Sequence, residues 1–344
     1  MVHPAAPHDP APVPHAELER LAGELGLDVV GATPAVPYEE TERHIVERRE
    51  RGLFRDMRFT MARPEVSCHP ERLLEGACTV VAAALCYYVP AGEAGPADAT
   101  LPRYTWRDHY ADLRAKLDAL GRALGGAYRV LVDANQHVDR EGARRAGLGF
   151  YGKNTMLITR TYGSWVVLGA LVTDVEIEPA PPLDLDCGSC RICIDACPTG
   201  ALDEPGVLDA GRCLSYWSQA PHPMPEPFRA EMGPAVYGCD ICQDVCPWNR
   251  GIEKRRADVP LPEDAEPTVS LREWLDPTVP VRSRFDRLYV PGNDERWLRR
   301  NALVAFGNGA GGEETDLLEA WETGEDAMLA ETARWARARR EGRV

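Results

Sequence analysis

The stretch CGSCRICIDACP, residues 187–198, places four cysteines at the spacing C-x2-C-x2-C-x3-C and follows the last one with a proline. Two-cluster bacterial ferredoxins have this spacing, and the fourth cysteine of each run binds the cluster that belongs to the other run. Two residues between thiolates allow a tight turn that presents three sulfurs to one cubane. The stretch therefore indicates an iron–sulfur cubane whose fourth ligand comes from elsewhere in the chain.

A second run supplies that ligand. The stretch GCDICQDVCPWN, residues 238–249, repeats the C-x2-C-x3-C-P ending, with a further cysteine upstream at position 213. Crosswise ligation predicts two sets, one of Cys187, Cys190, Cys193 and Cys246 and one of Cys213, Cys239, Cys242 and Cys197. Zinc ribbons and disulfide frameworks also use C-x2-C pairs and are the alternatives. Because eight cysteines complete two sites, we predict that the other three are small core residues: Cys68, Cys78 and Cys86.

The composition of the chain limits the classes of protein to which it can belong. The chain has 344 residues, of which 44% are hydrophobic and 27% are charged, as is ordinary for a soluble protein. A formal net charge of −15 argues against broad electrostatic attraction to nucleic acid, and we predict that the arginine clusters, including Arg299 and Arg300, are solvated faces. No uncharged apolar window is long enough to span a bilayer. Abundant thiols fit a reducing compartment, so we expect a cytoplasmic protein without membrane attachment.

Helix and strand patterns alternate in the first half of the chain. The apolar run 78–88 is of strand length and predicts a buried central strand. Polar-apolar periodicity predicts helices at 16–26, 38–52, 107–124 and 140–146, strands at 28–33 and 128–132, and a hairpin of 156–159 with 164–173 around Gly163. This alternation predicts an α/β sandwich built on a central sheet.

Changes in composition divide the chain. Residues 1–15, rich in Pro, Ala and His, are predicted to be disordered. The α/β domain then covers 16–180, the cysteine-rich ferredoxin-like domain covers 181–256, and a Pro- and acid-rich linker opens a helical region over 257–344.

Four stretches carry a resemblance to a known family: GLGFYGKNT (147–155), CPTGA (197–201), LDAGRCLSY (208–216) and YGCDICQDVCPWN (237–249). The chain resembles epoxyqueuosine reductases, cobalamin-dependent iron–sulfur enzymes that complete queuosine in tRNA. The resemblance extends from about residue 18 to 308. It implies an α/β cobalamin-binding domain, a ferredoxin-like domain with two 4Fe–4S clusters, and a short helical C-terminal region. It also implies a monomer that acts on tRNA and takes electrons from a low-potential donor such as a flavodoxin or ferredoxin.

The resemblance also implies site residues. Asp133 occupies the position of the family's proposed proton donor, at the end of a predicted strand, and burial beside a corrin would raise its pKa. Met57 would pack on the corrin face, and Ser215 would border cluster and cofactor beside Tyr216. Three residues of the GKNT segment would donate to corrin amides or phosphate: Lys153, Asn154 and Thr155. The alternatives are a turn or N-cap role for Asp133, core roles for Met57 and Tyr216, and a surface role for Lys153.

Three segments depart from the family pattern: RYTWRDHY (103–110), ANQHV (134–138) and WSQAP (217–221). They leave the cysteines intact but make the substrate an open question. Alternative functions are therefore a related cobalamin enzyme acting on a small-molecule epoxide or halide, and an electron-transfer protein without corrin. His109 and His137 lie in these segments and become further candidates for proton transfer.

Overall fold

The computed structural model describes residues 2–6, 11–92, 99–311 and 315–344. The strands are β1 (Val2–Ala6), β2 (Val29–Pro34), β3 (Thr79–Cys86), β4 (Ala99–Thr100), β5 (Gly126–Val132), β6 (Gly149–Tyr151), β7 (Leu157–Thr159), β8 (Val166–Thr173) and β9 (Thr268–Val269). The helices are α1 (His15–Glu24), α2 (Glu39–Glu50), α3 (Pro64–Ser67), α4 (His109–Leu124), α5 (Asp139–Arg145), α6 (Ile192–Asp195), α7 (Leu214–Gln219), α8 (Glu226–Glu231), α9 (Ile241–Asp244), α10 (Arg250–Arg255), α11 (Leu271–Leu275), α12 (Val281–Arg284), α13 (Arg296–Gly307), α14 (Asp316–Glu322) and α15 (Ala327–Arg340).

The main sheet is antiparallel throughout. Within the described ranges its strand order is β1-β5-β8-β3-β2, and β3 pairs with both β2 and β8. All residues of β3 and β8 are buried, which confirms the prediction of a central strand from the apolar run. A strand buried along its whole length needs cover on both faces of the sheet.

Helices supply that cover from both sides. Gly169 of β8 lies under α4, where an added Cβ would approach Leu117 to 2.7 Å. Gly31 of β2 lies under the end of α5, where a Cβ would stand 2.0 Å from the carbonyl oxygen of Ala146. Gly31 is in register with Ala170, the neighbour of Gly169, so the two glycines face opposite sides of the sheet. The result is the predicted α/β sandwich, in which glycine allows the closest helix-to-strand contacts.

The C-terminal helices form a second core with the segment around α7. This core contains Trp217, Tyr237, Trp274 and Phe306, together with Trp106 from the first half of the chain. The pairing of β4 with β9 also connects the two halves. The C-terminal region is therefore packed directly against the second cysteine motif.

Arg299 and Arg300 correct the prediction of solvated faces, since they are 2% and 0% exposed. The Arg300 guanidinium donates to the carbonyl oxygens of Ala220 at 2.8 Å and Trp217 at 2.6 Å. These carbonyls replace the water that the guanidinium loses on burial. The predicted solvation fails because α13 is apolar and buried on nearly all sides.

Three other predictions differ from the structure. Strand β7 pairs with β6 and not with β8, because β8 is already bonded on both edges by β3 and β5. Part of the segment predicted to be disordered forms β1, which pairs with β5, and His3 stacks on Tyr128 with ring centroids 4.5 Å apart. Residues 7–10 lie outside the described residues. Cys78 is exposed, whereas Cys68 and Cys86 are buried as predicted.

Among the described helices, none is long and apolar enough to cross a membrane.

Candidate iron–sulfur centres and active site

The thiols of the first predicted ligand set lie together. Burial, followed by the nearby thiols of Cys246, Cys187 and Cys190, raises the pKa of Cys193. Burial likewise raises the pKa of Cys246, with Cys187 and Cys190 as its thiol neighbours. Cys246 therefore stands with the first cysteine run and not with its own, as crosswise ligation requires.

The thiols of the second predicted ligand set also lie together. Burial is the largest cause that raises the pKa of Cys239 to about 12, and Cys213 and Cys197 are its thiol neighbours. The pKa of Cys242 is raised by burial and then by Cys239 and Cys213. Cys193 also contributes at Cys242, so the two thiol sets are adjacent.

Backbone N–H groups point at these sulfurs. The N–H of Ala201 donates to Sγ of Cys197 at 3.3 Å, and those of Ser215 and Tyr216 lower the pKa of Cys213 against the larger effect of burial. Within the described residues, no three His, Cys, Asp or Glu side chains converge on one metal-ion position. In a cubane each thiolate binds its own iron, so the thiols are spread around the cluster. Two adjacent thiol groups with backbone donors fit a pair of 4Fe–4S clusters.

Polar residues of the second cysteine motif fix it to the sheet domain. Asp240 accepts a hydrogen bond from the N–H of Arg103 at 2.9 Å. Oε1 of Gln243 accepts from Oγ of Ser164 at 3.0 Å, and Oδ1 of Asn249 accepts from the Ser164 N–H at 2.8 Å. All three side chains are therefore used to hold the cluster loop in place.

The GKNT segment is the turn between β6 and β7. Nζ of Lys153 donates to the carbonyl oxygens of Gly188 at 2.6 Å and Cys190 at 2.9 Å. Nδ2 of Asn154 donates to the carbonyl oxygen of Cys242 at 3.3 Å. Thr155 has a positive φ of 65°, which closes the turn. The turn therefore contacts loops of both thiol sets, and the role of these three residues toward cobalamin stays a prediction.

Asp133 follows the last residue of β5, as predicted, with a φ of 47°. It is not the N-cap of the next helix, because α5 begins six residues later and Val138 precedes it. The carboxyl is exposed, yet the surrounding protein desolvates it enough to raise its pKa, against the lowering effect of Arg114.

Two tyrosines lie within electrostatic range of this carboxyl, Tyr110, which is half-buried, and Tyr237, which is buried. Burial, and then the charge of Asp133, raises the pKa of Tyr110. Asp133 also acts on Tyr237, whose hydroxyl donates to the carbonyl oxygen of Tyr289 at 2.8 Å. The sequence prediction did not name either tyrosine as a site residue. The available signal was the position of Tyr237 two residues before Cys239.

Met57 is half-buried in the loop after α2, and this loop is bonded to the region of Cys213. The carboxylate of Asp56 accepts from the hydroxyl of Tyr216 and lies 2.8 Å from Nε2 of His222. Ser215 is half-buried and its carbonyl oxygen accepts from Oγ of Ser218 at 2.8 Å. The structure thus brings the Met57 loop to Ser215 and Tyr216, and their contacts with cobalamin stay predictions.

The two candidate histidines are neutral at pH 7. Burial lowers the pKa of His109 to about 4, with Arg107 as the next cause. Burial alone lowers the pKa of His137 to about 4.

Comparison with known proteins agrees with this arrangement. Residues 186–249 match the model of the family described as a 4Fe-4S double cluster binding domain. The chain is 34% identical to the epoxyqueuosine reductase of Lactococcus garvieae, over 85% of this chain and 86% of the relative. It superposes with a TM-score of 0.81 and 30% identity on an epoxyqueuosine reductase solved with a tRNA-Tyr epoxyqueuosine-modified stem loop, covering 94% of this chain and 89% of that one. The Bacillus subtilis enzyme, solved with its aspartate-bearing catalytic loop swung out of the active site, gives a TM-score of 0.82 at 30% identity and the same coverage.

The fold and the thiol sets define an iron–sulfur oxidoreductase in which a double-cluster domain is joined to an α/β sandwich. The chain belongs to the epoxyqueuosine reductase family. Enzymes of this family use two 4Fe–4S clusters and cobalamin.

Proposed function

We propose that this protein removes the epoxide oxygen of epoxyqueuosine in tRNA and so produces queuosine. The observation that carries the proposal is the pair of adjacent thiol sets on the same chain as a desolvated, exposed carboxyl at the end of β5. Two electrons and two protons are consumed, and the oxygen leaves as water. Cobalamin, when bound, supplies the reducing equivalents to the epoxide carbon.

The protein's own groups have distinct tasks in this proposal. The two cysteine sets bind the clusters that conduct electrons inward from a low-potential donor such as a flavodoxin or ferredoxin. Asp133 holds a proton and delivers it to the departing oxygen, because expelling an unprotonated alkoxide is costly. Desolvation raises its pKa, which supports this role because it favours the protonated form that a general acid needs.

The cofactor contacts follow from the same placement. We assign Met57 to the corrin face and Ser215 to its border with the second cluster, because the loop of Met57 is bonded to the segment after Cys213. Thr155 would donate to a corrin amide. Lys153 and Asn154 would act mainly through the cluster loops that they bond.

We further propose a cytoplasmic monomer with units at 16–180, 181–256 and 257–344. The sheet region has a core of its own, which supports the first unit, whereas the other two units share the second core.

The test is an assay on an anticodon stem-loop that contains epoxyqueuosine. Protein reconstituted with iron, sulfide and cobalamin and supplied with a chemical reductant should form queuosine, measured by mass spectrometry of the digested nucleosides. Protein lacking cobalamin is the control and should leave the epoxide intact. An intact epoxide with the fully loaded protein would contradict the proposal and favour a small-molecule substrate.

A further inference from the structure

The loop between β5 and α5 combines exposed and buried residues in a short span. Asp133, Asn135 and Gln136 are exposed, whereas His137 is only 2% exposed. Burial of an imidazole costs free energy unless a partner satisfies its polar atoms. The loop therefore has one buried polar side chain, two residues before α5 begins.

The partner of His137 is Tyr38, which precedes α2. Nε2 of His137 lies 3.1 Å from the hydroxyl oxygen of Tyr38, and the ring centroids are 5.8 Å apart. Tyr38 is itself fully buried, and its N–H donates to the carbonyl oxygen of Cys68 at 2.8 Å. The imidazole is thus bonded to a residue that is buried and whose backbone N–H is also hydrogen-bonded.

Helix α5 closes the other side of the ring. A Cβ at Gly142 would lie 2.6 Å from Cε1 of His137, so the imidazole fills the space that the glycine leaves. The backbone adds one further tie, from the N–H of Val138 to the carbonyl oxygen of Ser67 at 3.1 Å.

Tyr38 is the hydrogen-bond partner of the imidazole among the described residues, since Nδ1 has none. The anchorage of the loop by a side chain therefore depends on one hydrogen bond. The sequence at 134–138 is also one of the segments in which this chain departs from the family pattern.

We infer that His137 is a positioning residue, whose hydrogen bond to Tyr38 holds the 133–138 loop so that Asp133 faces the substrate. The inference rests on the proposed function, because only that function makes Asp133 the acid. His137 takes no part in proton transfer itself. It acts through the position of the carboxyl four residues earlier.

Hydrogen–deuterium exchange of the holoprotein, followed by mass spectrometry of peptides that cover the loop, tests the anchor directly. The variants are Tyr38→Phe, His137→Ala and His137→Gln, since the glutamine amide can replace Nε2. Tyr128→Phe is the matched control, because it removes a hydroxyl bonded to Asp118 at 3.0 Å near the opposite end of β5.

Loss of one buried hydrogen bond should accelerate exchange of the loop about tenfold in Tyr38→Phe and His137→Ala. His137→Gln should restore slow exchange, and Tyr128→Phe should leave the loop unchanged. In the stem-loop assay, kcat should fall about tenfold in the first two variants while KM for the stem-loop stays constant, because the acid is displaced and the RNA surface is intact.

If the loop of a folded Tyr38→Phe protein exchanges at the wild-type rate, the inference is overturned. Tyr38→Phe is nearly isosteric, so it still tests the inference if His137→Ala does not fold. Faster exchange with an unchanged kcat would overturn the positioning role. If the two variants exchange faster but the wild type itself does not reduce the epoxide, the result supports the anchoring of the loop by His137. The same result contradicts the proposed function.

Discussion

Substitution of Asp133 by asparagine keeps the shape of the side chain and removes the proton that it can donate. Positioned general acids contribute about 10²- to 10⁴-fold to rate. Turnover should fall by the same factor, which corresponds to about 3–5 kcal/mol in the activation barrier. The pKa of Asp133 is set by desolvation and by Arg114, with no hydrogen-bond donor among its causes, so the amide disrupts no partner.

The direction of the pH dependence follows from the raised pKa. An acid is active only while protonated, so wild-type turnover should decline as pH rises through the raised pKa of Asp133, and the residual turnover of the variant should lack this decline. The substitution should affect the stability of the folded protein in the opposite direction from its effect on turnover. Because the folded state holds the proton more tightly than the unfolded chain, ionised Asp133 opposes folding at neutral pH. The asparagine variant should therefore be at least as stable as the wild type.

The measurement is single-turnover formation of queuosine by pre-reduced holoenzyme across a pH series, with melting temperatures from the same preparations. Asp112→Asn is the matched control, since it makes the same change on the exposed face of α4, where Asp112 pairs with Lys116 at 3.0 Å. Turnover equal to the wild type in the Asp133 variant, with the decline at rising pH preserved, would refute the assignment of this acid.

Three further substitutions test the surroundings of the site. Arg114→Met removes the charge that lowers the pKa of Asp133, so the decline of turnover with rising pH should move to higher pH, and an unmoved pH profile would contradict this coupling. Cys246→Ser should abolish the cluster of the first cysteine run and leave the other, seen as about half the iron and one remaining reduced-cluster signal in electron paramagnetic resonance. Loss of the second cluster instead would show that ligation is not crosswise. Lys153→Met removes a cation bonded to the Gly188 and Cys190 carbonyls, so the reduction potential of the first cluster should fall by on the order of tens of millivolts in a potentiometric titration. An unchanged potential would show that Lys153 has no electrostatic effect on the cluster.

The features that could be predicted from the sequence are those that depend on local sequence pattern. The uninterrupted apolar run of β3 indicates burial on both faces, and only a central strand meets that condition. The cysteine spacing reflects the geometry of a tight turn around a cubane, and the resemblance then gave the position of Asp133. Each of these inferences needs only residues that are neighbours in sequence.

The missed features depend on partners far along the chain. No signal in the sequence indicated the bonds of Lys153 to the carbonyls of Gly188 and Cys190, because these residues are 35 and 37 positions away. The sequence predicted a solvated Arg300 because its partners are carbonyls 80 and 83 residues before it, which no periodicity reveals. The hairpin around Gly163 was misassigned because β8 finds its partners in β3 and β5.

The cysteine pattern marks the double-cluster region as a unit. Its position nevertheless depends on hydrogen bonds to the sheet domain before it and to the C-terminal helices after it. On one side, Asn249 bonds Ser164 of the sheet domain at 2.8 Å. On the other, Nδ2 of Asn301 in α13 donates to the carbonyl oxygens of Ser218 and Val236, both at 2.8 Å. Val236 directly precedes Tyr237, which lies two residues before Cys239 and is within range of the charge of Asp133. The segment that places a cluster thiol therefore also shapes the environment of the acid, so a change in the C-terminal helices should alter electron delivery and proton delivery together.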